Sequence, residues 1–207
     1  MPLHTLIAFV SASLLLAISP GPDNLFVLTQ SATRGWRVGV AVTLGLCTGL
    51  IVHTAAVAFG VAILIRESAL AFTALKLAGA AYLLWLALGA WRAGPAQIGT
   101  AGVLPPSLGR MYLRGIAMNV GNPKVAIFFL AFLPQFVSPD AGSAVGQIFI
   151  LGALFGLSAL AVFCGVALAA GAISRRLLGS ARAQRALNRA AALVFVALAV
   201  NLAIAQR

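Results

Sequence analysis

The most restrictive feature of this sequence is a helix-breaking segment, Ser19–Asn24, inside a long apolar run. The run extends from Leu3 to Leu28, which is enough to cross a bilayer at about 1.5 Å per residue of helix. A broken backbone and an ionisable side chain are tolerated at membrane depth only where protein or a polar cavity surrounds them. We therefore expect this segment to line a transport site, to which these residues contribute: Pro20, Gly21, Pro22, Asp23 and Asn24.

Composition places the whole chain in a membrane. Of its 207 residues, 62% are hydrophobic and 8% are charged, whereas soluble domains are roughly half apolar and about one-quarter charged. The chain is therefore predicted to form one all-α membrane domain over residues 1–207, and its composition excludes a soluble enzyme. No nucleophile–base pair and no cluster of metal ligands stands out, so we expect no enzymatic activity, no cofactor and no metal site.

Six apolar segments are predicted to cross the membrane as helices, near residues 3–30, 38–65, 69–91, 111–136, 144–173 and 187–205. The first is broken at Pro20–Pro22 and the fourth at Asn122–Pro123. The predicted connections include a tight turn, Arg66–Ser68, and one longer loop, Arg92–Arg110. The expected fold is thus a polytopic bundle of six transmembrane helices, in which helices 1 and 4 are broken.

The basic residues indicate how this bundle is oriented. Fourteen Lys and Arg residues oppose three Asp and Glu residues, and Lys and Arg are retained on the cytoplasmic side of a membrane. One predicted side carries Arg34, Arg37, Arg92, Arg110, Arg114, Arg175, Arg176, Arg182, Arg185 and Arg189, and the other carries Arg66 and Arg207. This asymmetry predicts a multi-pass protein with both termini outside and the basic loops in the cytoplasm. Its basic loops are expected to contact anionic lipid and not nucleic acid.

A glycine pattern occurs twice in the chain. The second predicted span has glycines at positions 35, 39, 45 and 49, and the fifth has them with identical spacing at positions 142, 146, 152 and 156. Pro22–Asp23 and Pro123–Lys124 correspond similarly, at a slightly different offset that a longer connection between the fourth and fifth spans would absorb. We therefore expect two pseudo-repeats, at about 1–94 and 107–207. Because each has three spans, the repeats are predicted to be inverted relative to each other, with the substrate site where they meet.

Each break has the pattern of a new helix start. Asn is a favourable N-cap residue and proline is favoured at the first helical position, so Asn122–Pro123 predicts a helix start, and Ser19–Pro20 allows the same interpretation. Two half-helices would then direct free N–H groups and partly positive ends at the break, which suits a carboxylate. The alternative is that both prolines only kink continuous helices.

Asp23 and Lys124 are ionisable residues within predicted spans, each close behind a break. Asp23 is predicted to bind a substrate ammonium group or to exchange a proton, and its alternative role is an N-cap for the half-helix. Lys124 is predicted to pair with Asp23 or with a bound anion, and a purely structural ion pair is the alternative. Lys76, in the third span, either binds substrate or snorkels to the membrane surface.

His53 and the glycine pairs also allow two interpretations each. His53 can relay protons, although a lone histidine among apolar residues is more often a hydrogen-bonded core residue. The pairs Gly45/Gly49 and Gly152/Gly156 have the spacing of small-residue helix contacts. Such contacts form within one chain or between two copies in a homodimer, and the sequence leaves both open.

Three motifs together resemble the LysE/RhtB-type amino-acid exporter family. They are Ser19–Asp23 in the first span, Leu75–Leu83 in the third and Asn119–Lys124 in the fourth, and with the six predicted spans the resemblance covers essentially the whole chain. The resemblance implies a secondary exporter of amino acids or close derivatives, driven by the proton gradient or the membrane potential. It does not identify the substrate, because members that share these motifs export different compounds.

The resemblance thus implies export of neutral or basic amino acids such as homoserine, threonine or lysine across the bacterial inner membrane, with both predicted outer termini in the periplasm. The predicted substrate-binding residues are Pro20, Gly21, Pro22, Asp23, Asn24, Lys76, Asn119, Asn122, Pro123 and Lys124, with Asp23 and His53 as candidates for proton coupling. The alternatives are efflux of another small solute or cation, and a membrane scaffold that transports nothing. A metal substrate is disfavoured, because Asp23 without a His or Cys cluster gives poor coordination.

Overall fold

The computed structural model describes residues 1–61, 69–94, 107–138, 141–173 and 180–204. The regular secondary structure in these ranges is helical, which confirms the predicted all-α class for the described part of the chain. The predicted turn Arg66–Ser68 and most of the predicted loop between residues 92 and 110 lie outside the described residues. The same holds for three basic residues used to predict the orientation, Arg175, Arg176 and Arg207.

The helices, numbered in chain order, are α1 Leu3–Ile18, α2 Pro22–Arg34, α3 Trp36–Ala56, α4 Ala69–Arg92, α5 Leu108–Val120, α6 Pro123–Ile127, α7 Ala144–Ile173 and α8 Ala181–Ile204. Two of them change their pitch at the C-terminal end. α3 continues into a π turn, Val57–Val61, and α6 continues into a second π turn, Phe128–Phe132, followed by the 3₁₀ turn Leu133–Phe136.

Two of the predicted spans are broken into separate helices. α1 and α2 meet at a bend of 57°, and α5 meets the segment Pro123–Phe136 at a bend of 50°. Both α2 and α6 begin at a proline, whose missing N–H is not needed at a helix start. Residues outside the helices separate the two members of each pair, so the alternative of kinked but continuous helices is wrong.

Several helices are long and apolar enough to cross a membrane. Within the described residues, three segments satisfy this criterion alone: Trp36–Gly60, Ala144–Ala170 and Ala181–Ile204. Counting each bent pair as one span raises the number to five. α4, with 24 residues, occupies the position of the third predicted span. These helices indicate a multi-pass membrane protein, while the six-span arrangement stays a prediction.

The helices pack as a central group with one peripheral pair. α3 packs against α5 and α7, and both α1 and α2 pack against α7. α4 pairs with α8, and this pair joins the central group through contacts with α1, α6 and the π turn that follows α6. One helix of each broken pair, α1 and α6, therefore connects the central group to the α4/α8 pair.

Glycines bring α3 unusually close to its neighbours. A Cβ atom at Gly45 would collide with the Tyr112 carbonyl oxygen of α5, and one at Gly49 would lie 2.8 Å from the Cβ of Asn119. A Cβ at Gly152 of α7 would collide with the Thr54 side chain of α3. These small-residue contacts lie within one chain, which answers the question that the sequence left open.

Two glycines start corresponding helices. Gly35, immediately before α3, has φ +91°, and Gly142, two residues before α7, has φ +94°. This left-handed conformation favours glycine because it has no Cβ. Both residues open the repeated glycine pattern, so the matching sequences adopt matching turns at these points.

The close α3–α5 contact predicts different outcomes for two glycine substitutions. We expect Gly45→Ala to destabilise the protein by about 1–3 kcal/mol, because the added methyl group meets backbone and not a movable side chain. Gly165→Ala on α7 is the matched control, since its Cβ would meet nothing within 4 Å. Thermal unfolding of the purified variants in detergent measures the difference, and equal midpoints would contradict the packing described here.

Candidate functional site

The first break ends α1 and starts α2 through backbone contacts. The Ser19 N–H and hydroxyl both donate to the Leu15 carbonyl, at 3.0 and 2.7 Å, so Ser19 caps the end of α1. α2 begins at Pro22 with Gly21 as its N-cap residue and without a side-chain cap. The predicted helix start at Ser19–Pro20 is therefore wrong by two residues, because the Ser19 hydroxyl is used by the preceding helix. Asp23 likewise lies inside the first turn and is not an N-cap.

The second break agrees with the sequence prediction. Asn122 is the N-cap residue of α6, and its Oδ1 accepts a hydrogen bond of 3.0 Å from the Lys124 N–H. Pro123 is the first helical residue. The expectation of free N–H groups at this end is only partly met, because Asn122 already accepts from Lys124, Val125 and Ala126.

Lys124 connects the two breaks. Its ammonium group donates to the Leu16 and Ser19 carbonyl oxygens, both at 2.9 Å, and the side chain is only 7% exposed. These acceptors lie at the C-terminal end of α1, where the helix dipole is negative. Nζ also lies 5.3 Å from the centre of the Phe195 ring. Gly21 lies beside the Lys124 side chain, since a Cβ there would be in van der Waals contact with Nζ at 3.4 Å.

Asp23 is buried beside this lysine without pairing with it. The residue is 4% exposed, and its Oδ1 has no hydrogen-bond partner. The side chains of Asn122, Asn119, Lys124 and His53 lie near enough to act on its charge. The predicted ion pair with Lys124 is not formed, because the lysine ammonium is directed to the carbonyl groups of α1.

Asn119 and His53 are buried residues near Asp23. The His53 Nε2 atom lies 3.0 Å from the Asn119 carbonyl oxygen, and its ring is 5.8 Å from the Phe129 ring. His53 is 9% exposed, so its surroundings are those of a hydrogen-bonded core residue. Asn119 is 2% exposed, and its side-chain Oδ1 has no hydrogen-bond partner.

Two cavities meet at the breaks. The inner cavity has a free volume of about 20 Å³, enough for one water molecule. It is lined by Leu16, Ala17, Gly21, Asp23, Asn24, Leu46, Cys47, Leu50, Asn119, Asn122, Lys124, Val125, Phe155, Ala159 and Phe163. The second cavity, called the groove, has a free volume of about 530 Å³. It is lined by Pro20, Gly21, Pro22, Leu25, Tyr82, Trp85, Leu86, Gly89, Ala90, Ala93, Asn122, Pro123, Lys124, Asn188 and Phe195.

The two cavities have three residues in common, Gly21, Asn122 and Lys124. All the predicted site residues of the two breaks, from Pro20 to Asn24 and from Asn119 to Lys124, thus line one cavity or both. Lys76 lies on α4 and is not among the residues that line either of these two cavities. Sequence reasoning did not find Phe195 and Tyr82, because their place in the groove depends on how α4 and α8 pack.

An aromatic cluster closes the molecule beyond the inner cavity. Phe9, Phe128, Phe129, Phe132, Phe136 and Phe155 form it. The Phe155 ring, which also lines the inner cavity, lies 5.1 Å from both the Phe128 and Phe129 rings. Phe9, Phe128 and Phe129 are fully buried. The cluster therefore packs against the inner cavity through Phe155.

Broken apolar helices around a buried acid and a buried base are typical of membrane translocators. Residues 14–206 match the family described as LysE type translocator, and the chain belongs to this family. The sequence resemblance is thereby confirmed.

Relatives of the chain extend this result. The chain is 37% identical to a homoserine/homoserine lactone efflux protein of Salmonella typhimurium, over 96% of both chains. It is 30% identical to a leucine efflux protein of the same organism, over 69% of this chain and 68% of the relative. An uncharacterized membrane protein of Vibrio cholerae is 31% identical over 67% of this chain. No solved structure matches the chain significantly. Together with the family, these relatives support amino-acid efflux across a membrane.

The lysine contacts predict a stability effect at the site. We expect Lys124→Met to destabilise the protein by at least about 2 kcal/mol, because two buried carbonyl groups lose their donor. Thermal unfolding in detergent measures this loss. Arg182→Met, which removes an exposed cation from α8, is the control and should leave the midpoint unchanged. Wild-type stability of Lys124→Met would show that these hydrogen bonds contribute nothing.

Proposed function

We propose that this protein is a secondary exporter of amino acids or close derivatives in the bacterial inner membrane. It works by alternating access, with Asp23 and Lys124 at the substrate site. The observation that carries the proposal is the buried Asp23 carboxylate with an unpartnered Oδ1, held where two broken helices meet and two cavities adjoin. A buried carboxylate oxygen without a hydrogen-bond partner is costly inside a membrane. Its presence therefore favours a ligand that donates a hydrogen bond to it.

In this proposal, the ammonium group and the carboxylate of the substrate amino acid bind to different residues. Asp23 binds the substrate ammonium group. An ammonium group has three donors, and Lys124 uses two of them on the α1 carbonyl groups. Its third donor is left for the substrate carboxylate, beside the uncapped N-terminus of α2. Proton exchange at Asp23 and a contribution of His53 belong to the same proposal, with the proton gradient or the membrane potential as the driving force.

The position of the groove supports a cytoplasm-facing conformation. The groove residues along α4 begin at Tyr82, in its C-terminal half, and continue to Ala93, just past its end. Those on α8 are Asn188, in its N-terminal half, and Phe195, near its middle. The C-terminal half of α4 and the N-terminal half of α8 lead to the chain segments that carry Arg92, Arg182, Arg185 and Arg189. Because basic segments are retained in the cytoplasm, the groove opens there and both termini lie in the periplasm.

The closed side is the opposite one. The aromatic cluster draws on α1 before the first break and on the segment after the second break. By the same orientation, these parts face the periplasm. Export then requires that the groove close behind the substrate and the aromatic cluster separate, which is the exchange expected of alternating access.

Two inverted repeats, at about 1–94 and 107–207, are part of the proposal. Supporting observations are the matched turns at Gly35 and Gly142, the proline that begins both α2 and α6, and bends of 57° and 50° at the two breaks. α4 and α8, the last helices of the two repeats, pack against each other. Such symmetry gives two related conformations that open to opposite sides.

The transport proposal predicts amino-acid flux that depends on Asp23. Purified protein in preloaded proteoliposomes with an imposed pH gradient should release L-homoserine or L-leucine. Asp23→Asn should lower this flux about 10- to 100-fold, the value of a hydrogen bond to a charged group. Arg182→Gln is the control for loss of an exposed charge. Absence of flux across a full amino-acid panel, with folded protein, would favour a different solute or a scaffold role.

The orientation predicts one-sided labelling of the groove. In a chain with Cys47→Ala and Cys164→Ala, a cysteine introduced by Gly89→Cys fits without a clash, since a Cβ at Gly89 meets nothing within 4 Å. A membrane-impermeant maleimide should label it in inside-out vesicles and not in intact spheroplasts. Leu3→Cys, near the exposed N-terminus, should show the reverse pattern. Labelling of Gly89→Cys from the periplasmic side would contradict the orientation.

A further inference from the structure

We propose that the inner cavity selects primary amines: it accepts the unsubstituted ammonium group of an amino acid and rejects the N-alkylated forms. This inference rests on the proposed function and assigns to the site a substrate class, α-amino acids with a free –NH₃⁺ group. It follows from the size of the inner cavity, from the unsatisfied atom inside it and from the way it joins the groove.

The size of the inner cavity sets the first limit. Its free volume of about 20 Å³ admits one group of the size of a water molecule. An ammonium head is of this size, whereas a whole amino acid is not. The groove, at about 530 Å³, is in the range of ligand pockets. The head of the substrate therefore enters the inner cavity while its body lies in the groove.

The chemistry of the inner cavity sets the second limit. Asp23 is the acidic residue that lines it, and the partnerless Oδ1 accepts hydrogen bonds but donates none. A ligand head must therefore bring N–H or O–H donors as well as positive charge. A primary ammonium group has three donors, and each N-methyl group removes one while it adds volume. A trimethylammonium group keeps the charge and has no donor.

The junction of the cavities determines the direction of binding. Gly21, Asn122 and Lys124 line both cavities, so a substrate that reaches Asp23 from the groove passes the Lys124 side chain. The carboxylate, two bonds from the nitrogen in an α-amino acid, then stops near the lysine. Gly21 lies beside Lys124 at this junction, since a Cβ there would be 3.4 Å from Nζ.

One side chain offers a way to enlarge the inner cavity. Val125 follows Lys124, lines the inner cavity and is 6% exposed. Val125→Ala removes two methyl groups next to the place assigned to the ammonium head. Val42→Ala is the matched control, because Val42 is fully buried on α3 but does not line this cavity.

The test is uptake competition in proteoliposomes that contain the purified full-length protein. The probes are radiolabelled L-leucine and L-homoserine, and the competitors are each amino acid and its N-methyl and N,N,N-trimethyl forms. We expect the N-methyl form to compete at least about tenfold more weakly than its parent, and the trimethyl form not to compete. In Val125→Ala the N-methyl form should compete more strongly, relative to its parent amino acid, than it does in wild type. In Val42→Ala the ratio of the two competition strengths should match wild type.

The outcomes separate this inference from the proposed function. Flux of a parent amino acid with equal competition by its trimethyl form overturns the inference and leaves the exporter proposal intact. The same is true if Val125→Ala and Val42→Ala change the N-methyl ratio equally, because the selectivity would then not depend on the inner cavity. Absence of flux for every amino acid overturns the proposed function, and the inference with it.

Discussion

The Lys124 ammonium group on the carbonyl oxygens of Leu16 and Ser19 is the interaction on which the site depends. A buried cation inside an apolar bundle requires compensation, and here the C-terminal end of a broken helix supplies it. The same hydrogen bonds join α6 to α1 across more than a hundred residues of sequence. The Leu16 carbonyl is free because its i+4 partner is Pro20, which has no N–H, and the break after Ser19 frees the Ser19 carbonyl from the helical pattern.

This arrangement leaves Asp23 and Lys124 with different numbers of hydrogen-bond partners. Lys124 has two backbone acceptors and an aromatic ring beside it, whereas Asp23 keeps an oxygen atom without a partner. A direct ion pair would have satisfied both groups and made the site inert. In the proposed function, this separation leaves the Asp23 oxygen atom able to bind a ligand, which would reach it through the adjoining cavities.

Much of the helical framework could be predicted from the sequence, because apolar length and proline position are local signals. The fifth predicted span, 144–173, coincides with α7, and both breaks fall where prolines indicate them. α8 begins at Ala181, six residues before the predicted span, because alanine, arginine and glutamine form helix even where hydropathy is low. The capping role of Ser19 and the acceptors of Lys124 could not be predicted, since both depend on backbone groups that residue identity does not reveal.

The glycine contacts of α3 also determine which part of the molecule can move. At Gly45 and Gly115 the backbones of α3 and α5 touch, and no side chain lies between them to change rotamer. Packed backbones resist sliding, so α3 and α5 act as a rigid frame. Among the described glycines of α4 and α8, none makes such a contact with α3 or α5, although Gly79 of α4 lies close to Ala131 of the π turn after α6. In the transport cycle proposed above, we therefore expect the groove to open and close by movement of the α4/α8 pair relative to α3 and α5.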